Sequence, residues 1–311
     1  MGIDKFRRKG VFPVINLNGI DLYGAMGLPA IQGKVYYVEG NVGLDTQDGL
    51  SWDKAKKTLA SAITASNASI ANADEKGYAS RNTIFVKGDR LDEDLVIFPN
   101  KCDVIGVGSC DAYIGAGIIG NHAPVNAANY GTRFINVNFF PDANGDIITI
   151  ASTSSGVQFI NCVGIGVWGT KTAPSFIDIT ASPMAKILNC KMFGAFSGDV
   201  IDVGAGDASG MEIVGNKIVG GADNGIVITG VATVSGAMSR GIIAHNEIEV
   251  ADKVIDTRAV SVFNCHSNIC ISGESNGAGA YVIDPTYAVD NKITCADTCI
   301  IVPTYSELTT T

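Results

Sequence analysis

Three aspartates in the middle of short apolar segments are the residues of this chain best placed to do chemistry. Asp178 lies in FIDIT, Asp202 in VIDVG and Asp256 in VIDTR, where Arg258 follows two residues later. Neighbouring side chains of a strand point to opposite faces, so each carboxylate should face outward while the apolar residues beside it face a core. If the segments stack as adjacent strands, Asp178 and Asp202 lie about 4.8 Å apart at the backbone.

Carboxylates at that spacing have two chemical uses. A pair separated by roughly 5 to 9 Å can act as acid and base on a glycosidic bond, with Arg258 assisting, and oxygens on neighbouring strands can bind Ca²⁺. A solvated face is the alternative interpretation, because outward strand positions need polar side chains in any case. Val227 occupies the corresponding position of the intervening segment GIVIT and breaks the series, which favours the solvated face and no catalytic residue.

The cysteines and histidines do not form a regular metal-binding motif. Cys265 and Cys270, next to His266, could supply four zinc ligands together with Cys295 and Cys299 of CADTC, but the spacing is not that of paired zinc ligands. Eight cysteines in 311 residues are also too dilute for a disulfide framework. We expect reduced, buried thiols that serve as small apolar side chains, and no metal site.

Two short glycine motifs match known sites by chance. GAGIIG at 115–120 has the dinucleotide-binding glycine pattern, but NHAPVNAANYG follows where a helix is required. GESNG at 273–277 resembles a nucleophile elbow around Ser275, but AGAYVIDP gives no helix after it, and all three histidines precede the serine. The sequence therefore indicates no cofactor.

Composition narrows the class of protein further. The net charge of −9 argues against a nucleic-acid partner, since binding to nucleic acid draws on basic side chains that neutralise phosphates. No window approaches the roughly 18 to 20 apolar residues that span a bilayer, so we expect no membrane partner. With 46% hydrophobic residues the chain can bury a sizeable core, and 37 glycines with only 17% charged residues are typical of many short strands joined by turns.

Internal repeats explain the recurring residues. Segments that end an apolar run recur as FINV, FINC, ILNC, IVGN and IAHN, ending at Val137, Cys162, Cys190, Asn216 and Asn246, with intervals of 25, 28, 26 and 30 residues. VFNC at Cys265 and AVDN at Asn291 continue the series. A period of 20 to 30 residues with two or three short strands predicts a solenoid, each coil burying its inward face only by stacking on the next. We interpret the recurring position as one column in which Asn and Cys replace each other.

The repeats divide the chain into three parts. Residues 1–32 form an N-terminal anchoring arm, whose basic and apolar residues Lys5, Arg7, Arg8 and Phe12 would bind a partner surface. Residues 33–80 hold a strand and a capping helix near 53–72, started by Ser51 or Asp53. Residues 81–311 form an all-β, single-stranded right-handed parallel β-helix of about eight coils with a short C-terminal tail.

A family resemblance rests on the start of the solenoid. The run YYVEGNVGLDTQDGLSWDKAKKTLASAI, followed by TIFVKGDRLDEDLVIFPNKCDVIGVG, resembles the opening of right-handed parallel β-helix proteins of the pectate-lyase-like superfamily, especially those of bacteriophage virions. Asp-Gly-Leu-Ser-Trp at 48–52 and Ile-Gly-Val-Gly at 105–108 carry it most clearly. The superfamily contains lyases, hydrolases, tailspikes and inert structural proteins, so fold does not decide activity.

The resemblance implies a structural component of a phage particle, a capsid decoration or tail-associated protein made in the host cytoplasm. Its partners would be other virion proteins and copies of itself, with a trimer as the arrangement the family suggests. The chain lacks the Asn-x-Asp, Asp-Asp, Gly-x-Gly-His and Arg-x-Lys series of a polygalacturonase-like site, which favours a non-catalytic scaffold. The alternative is a tailspike-like or secreted enzyme that cleaves polysaccharides, or binds surface glycans, through Asp178, Asp202 and Asp256.

Overall fold

The structure is a computed structural model. It describes residues 33–71, 81–87, 90–110, 112–124, 129–150, 154–180, 182–204, 209–220, 224–228, 241–251, 254–256 and 263–272, and the backbone of short strands at 16–17, 20–21, 288–289 and 292–295. The predicted arm residues Lys5, Arg7, Arg8 and Phe12 lie outside these ranges, as does Arg258. Among the described residues, no helix combines the length and the apolar character of a membrane span.

Three parallel sheets wrap around one core, and each turn of the chain adds a strand to successive sheets. The first sheet contains, in spatial order, Val35–Glu39, Asn82–Lys87, Cys102–Val107, Arg133–Ile135, Gln158–Ile160, Lys186–Leu188, Glu212–Val214, Gly241–Ala244, Phe263–His266 and Ala288–Val289. The second contains Arg90–Asp92, Ala116–Ile119, Val137–Phe140, Val163–Ile165, Lys191–Phe193, Lys217–Val219, Glu247–Val250, Ile269–Ser272 and Lys292–Cys295. The third contains Ile148–Ile150, Ile177–Ile179, Ile201–Val203, Ile226–Ile228 and Ile255–Asp256.

Four two-stranded sheets also occur among the described residues. They join Asn16–Leu17 to Ile20–Asp21, Ser109–Cys110 to Tyr113–Ile114, Val167–Trp168 to Lys171–Thr172, and Asn129–Tyr130 to Ser154–Ser155.

The predicted right-handed parallel β-helix is confirmed, but the predicted number of coils is not. In the described part of the chain the sheets have ten, nine and five strands, so about five turns contribute a strand to all three instead of eight. The difference arises near the N-terminus, where the turns that contain Asn82–Lys87 and Cys102–Val107 have strands in the first two sheets and, among the described residues, none in the third. Counting one repeated segment could not distinguish complete turns from partial ones.

A sharp corner separates the first sheet from the second in each turn. Its first residue takes a left-handed conformation, with φ between 53° and 71°, at Asn136, Asn161, Asn189, Gly215, His245 and Ser267. Asparagine and glycine tolerate this conformation best, which explains why these types recur there. The next residue turns inward and forms a buried column down the core: Val137, Cys162, Cys190, Asn216, Asn246 and Asn268.

The inward column confirms that cysteine and asparagine share a position. Asn216 Nδ2 donates to the carbonyl of Ile187 at 2.9 Å, and the thiol of Cys190 approaches the equivalent carbonyl of Phe159 at 3.4 Å. The prediction was wrong at the last described corner, where Asn268 and not Cys265 continues the column. Cys265 lies in the first sheet opposite Ile243, and Asn291 lies outside the described residues.

Phenylalanine rings fill the middle of the core. Phe134 stacks on Phe159 with 5.5 Å between ring centroids, and it also contacts Phe98 at 4.9 Å. Phe139 and Phe176, from the second sheet and the entry to the third, contact this group with 5.8 to 6.3 Å between ring centroids. All these rings are buried, so neighbouring turns are held together by side-chain stacking as well as by backbone hydrogen bonds.

The capping helix α1 (Leu59–Ala71) covers the N-terminal end of this core. Leu59, Ala62 and Ile63 are fully buried, and the Tyr36 hydroxyl donates to the Ala65 carbonyl at 3.1 Å. The predicted start near residue 53 was wrong: residues Trp52–Lys54 form only a 3₁₀ turn, and Ser51 makes no side-chain cap.

A carboxylate from a later turn caps α1. The backbone N–H groups of Leu59 and Ala60 donate to the two Glu93 oxygens at 2.7 and 2.9 Å. Thr58 Oγ1 accepts the Ser61 N–H at 3.2 Å. The helix therefore begins where these acceptors lie.

The outer face of the first sheet carries two columns of different character. We call Phe85, Ile105, Ile135, Ile160, Leu188 and Val214 the apolar stripe: they are half-buried, outward-facing and paired rung by rung. Two residues earlier on each strand lies the polar column, formed by Thr83, Asp103, Arg133, Gln158, Lys186 and Glu212.

Candidate functional site

Asp178 and Asp202 lie on the outer face of the third sheet, as expected. Asp178 and Asp202 are direct partners on adjacent strands, and the isoleucine and valine residues on either side of each are buried. The column continues through Val227 to the backbone position of Asp256. The structure therefore confirms that Asp178 and Asp202 are adjacent and that Asp256 stands two rungs beyond Asp202, while the Asp256 side chain lies outside the described part.

Another row of polar residues, which was not predicted from the sequence, runs beside Asp178 and Asp202 on the third sheet. It precedes the first four strands of the third sheet by two residues and contains Asp146, Ser175, Asp199 and Asn224. Ser175 Oγ donates to Asp146 Oδ1 at 2.6 Å, and Asn224 Nδ2 donates to Asp199 Oδ1 at 2.6 Å. Acids and donors thus alternate along the column, so each of its carboxylates has a neutral hydrogen-bond donor on the next turn. The sequence signal that could have predicted this row is a polar residue two positions before an apolar strand.

The two columns together line a shallow acidic cleft. Its volume is about 330 Å³, and its walls are Asp146, Pro174, Ser175, Asp178, Gly198, Asp199 and Asp202. Four carboxylates and a hydroxyl therefore face one open space of roughly the size that holds a small polar ligand.

Burial and mutual repulsion shift the two central carboxyl groups. Partial burial raises the pKa of Asp202 to about 6, with further upward contributions from the charges of Asp178, Asp199 and Asp146. Partial burial also raises the pKa of Asp178, and Asp146 adds to the effect. The charged forms of the two paired carboxyl groups are thus disfavoured by the same two causes.

This arrangement has a definite chemical capacity. Perturbed carboxyl groups in a cleft are a recognised mark of a functional site, although structural clusters also produce them. Asp202, protonated in part near pH 6, can donate a proton, and the Asp178 carboxyl group lies beside it on the adjacent rung. The described residues contain no group of three or more Cys, His, Asp or Glu side chains with the geometry of a metal site.

The remaining predicted residues do not converge on the cleft. The cysteines whose side chains are described, at 102, 110, 162, 190, 265 and 270, are buried thiols. Burial raises the pKa of Cys265 to about 12, so its thiol remains protonated and unreactive. Cys295 and Cys299, the other half of the zinc alternative, have no described side chains.

Comparison with known proteins gives little beyond this geometry. No protein-family model matches the chain, and no curated protein matches it. Among solved structures, the chain is similar to a GH136 lacto-N-biosidase from Eubacterium ramulus, at 10% identity over 85% of this chain and 68% of that one, with a TM-score of 0.32. A likeness at that score carries no argument, and the fold assignment rests on the parallel ladders of the chain itself.

Proposed function

We propose that the protein is a non-catalytic structural component of a phage particle, a capsid decoration or tail-associated β-helix. Residues 1–32 attach it, with Lys5, Arg7, Arg8 and Phe12 binding an acidic, partly apolar surface of another virion protein. The virion identity is supported by the sequence resemblance around residues 48–52 and 105–108. The role as a scaffold is supported by the construction of the solenoid.

The continuous hydrogen-bonded column inside the core is the observation that carries this proposal. Asn216, Asn246 and Asn268 are each 1% exposed, and each of these turns bonds to the next. An unpaired buried amide costs about 1 to 3 kcal/mol, so such a column holds its register only when all members are satisfied. The result is a stiff rod that can keep its two ends at a fixed distance, which suits a particle component.

Density-gradient purification of particles from a culture that expresses the chain tests the proposal. The full-length protein should co-sediment with particles, and a variant lacking residues 1–32 should stay in the soluble fraction while keeping its circular dichroism spectrum. A matched control replaces Lys5, Arg7 and Arg8 by Gln, which should weaken attachment in a salt-dependent way. A full-length protein that never co-sediments would contradict the proposal.

The acidic cleft favours a second candidate function, cleavage of a glycosidic bond. Asp202 would act as general acid and Asp178 as nucleophile, since adjacent rungs place their backbones about 4.8 Å apart, near the close carboxyl spacing of retaining enzymes. In this case the protein would be a tailspike-like or secreted depolymerase.

A panel of acidic and neutral polysaccharides separates the two functions. Cleavage that is lost in Asp202→Asn and kept in Glu212→Gln, an acid on another sheet, would establish the enzyme. Binding without release of reducing ends would indicate a glycan-binding module. If the protein is a structural component, we expect neither cleavage nor binding of these polysaccharides.

A further inference from the structure

The apolar stripe is an outward surface that the fold itself does not require. Its six residues stand in register on six consecutive strands, and each is half-buried. The alternate residues of the same strands, such as Val104, Phe134 and Ile187, already supply the core. Outward positions of an isolated sheet are ordinarily polar, as the polar column two residues away shows.

The side chains of the stripe taper along the solenoid. Phe85 is the largest and lies near the helix-capped end, four isoleucine or leucine positions follow, and Val214 is the smallest. Tyr37, whose ring packs against Trp52 with 4.7 Å between centroids, prolongs the stripe at the large end, and the buried Ala244 prolongs it at the small end. A flat or parallel partner would leave a gap at the small end, because tightly packed interfaces need complementary surfaces.

We propose that the stripe is the contact between two copies of this chain related by a two-fold axis parallel to its strands. The axis passes between Ile135 and Ile160, so that the solenoids run in opposite directions. The largest side chain then faces the smallest, Phe85 against Val214 of the second copy, while Ile135 meets Ile160 and Ile105 meets Leu188, pairs of equal size. Such an isologous contact closes on itself and does not propagate.

The polar column is compatible with the same axis. Arg133 then faces the uncharged Gln158 of the second copy, Thr83 faces Glu212, and Asp103 faces Lys186. No two side chains of like charge are placed directly opposite each other within the described column, although Asp103 already pairs with Arg81 and Arg133, and Lys186 with Glu212, of its own chain. Moving the axis by half a rung, onto Ile160, would bring Arg133 against Lys186 and Asp103 against Glu212.

The size of this face fits a modest dimer. Eight rungs at about 4.8 Å and two columns, each about 7 Å wide, give a face of roughly 38 by 14 Å, or about 500 Å² per copy. Standard specific interfaces bury about 800 Å² per partner. The dimer should therefore be concentration-dependent and should dissociate on dilution. This inference does not depend on the proposed function, and it specifies two copies where the sequence resemblance suggested three.

Mass measurement and site-directed crosslinking test the arrangement in the full chain. Sedimentation should show the wild type shifting from monomer to dimer as concentration rises, and Ile160→Lys should stay monomeric. Thr149→Lys, an outward substitution on the third sheet, should dimerise like the wild type. Circular dichroism checks that each variant folds.

Crosslinking with a short bis-maleimide determines whether the two copies run in opposite directions. Positions 85 and 214 of one chain are five rungs, or about 24 Å, apart, beyond the reach of such a reagent. The Phe85→Cys/Val214→Cys double variant should give a covalent dimer, whereas either single variant and the wild type should not. Covalent dimers from the single variants would indicate a parallel assembly and overturn the proposal. A wild type that stays monomeric at every concentration would also overturn it, as would trimers, which would point to the assembly suggested by the resemblance.

Discussion

Replacing Asn246 by Ala should destabilise the protein more than removal of any surface contact on the same turn. Asn246 Oδ1 accepts two bonds from Asn216, at 2.9 Å from the backbone nitrogen and 3.0 Å from Nδ2. Its own Nδ2 donates to the Ile213 carbonyl at 3.0 Å and to Asn268 Oδ1 at 2.9 Å. The side chain thus joins three consecutive turns.

The expected loss follows from the groups left without partners. The Asn216 backbone N–H would remain buried and unpaired, which costs about 1 to 3 kcal/mol, and the other lost bonds and the new cavity add to it. We expect the free energy of unfolding to fall by about 3 kcal/mol. Equilibrium urea denaturation followed by circular dichroism measures it through the shift in midpoint.

The control is an exposed contact on the same turn. Lys217 Nζ lies 2.6 Å from Glu247 Oε1, with 43% and 54% of the two side chains exposed. Because exposed ion pairs contribute little, Lys217→Ala should cost about 0.5 kcal/mol or less. If Asn246→Ala costs no more than Lys217→Ala, the column does not hold the turns together and the reasoning is refuted.

Three further variants probe the same framework. In urea titrations, Cys190→Asn should have a free energy of unfolding within about 1 kcal/mol of wild type. The reason is that the new amide can donate to the Phe159 carbonyl that the thiol approaches at 3.4 Å. A loss of several kcal/mol would show that Cys and Asn are not equivalent at this position. Burial raises the Asp202 pKa from 3.8 to about 6, so the folded state binds the extra proton and loses stability as pH rises through this range. Asp202→Asn should therefore raise the free energy of unfolding at pH 7 by on the order of 1 kcal/mol after allowance for solvent screening, and change it little at pH 4, whereas a lower value at pH 7 would contradict the repulsion. Burial lowers the His122 pKa from 6.5 to about 4, so the stability that the neutral ring contributes is present above pH 6.5 and lost as pH falls through 4. His122→Gln should flatten the melting-temperature profile in this window, and an unchanged acid slope would mean that other groups cause it.

The solenoid could be predicted from the sequence because the same sequence pattern repeats in every turn. Apolar triplets and Asn or Cys recur every turn, and each turn reports the same environment, so even the exchange of amides for thiols along the column could be inferred. The same counting failed at Cys265, where the corner is followed by Asn268. The same sequence pattern, an apolar segment followed by Cys, occurs both within a strand and at a corner. The corner itself is identified by the left-handed backbone conformation of Ser267, with φ of 56°.

Features made by residues far apart in the chain were not predictable in this way. Helix α1 begins at Leu59 because Glu93, 34 residues later, accepts its first N–H groups. The adjacency of Asp178 and Asp202 followed from matching segments. The flanking Asp146 and Asp199 were missed because they lie before the strands, where the apolar pattern has not yet begun. The taper of the apolar stripe likewise becomes visible only when the rungs are aligned.

Quantifying the protein in purified particles tests the central claim most directly. If the chain is a structural component, density-gradient fractions should contain it in a fixed ratio to the major capsid or tail protein, and removal of residues 1–32 should abolish this association without unfolding the solenoid. A protein absent from particles that releases reducing ends from a polysaccharide, with the activity lost in Asp202→Asn, would contradict the claim.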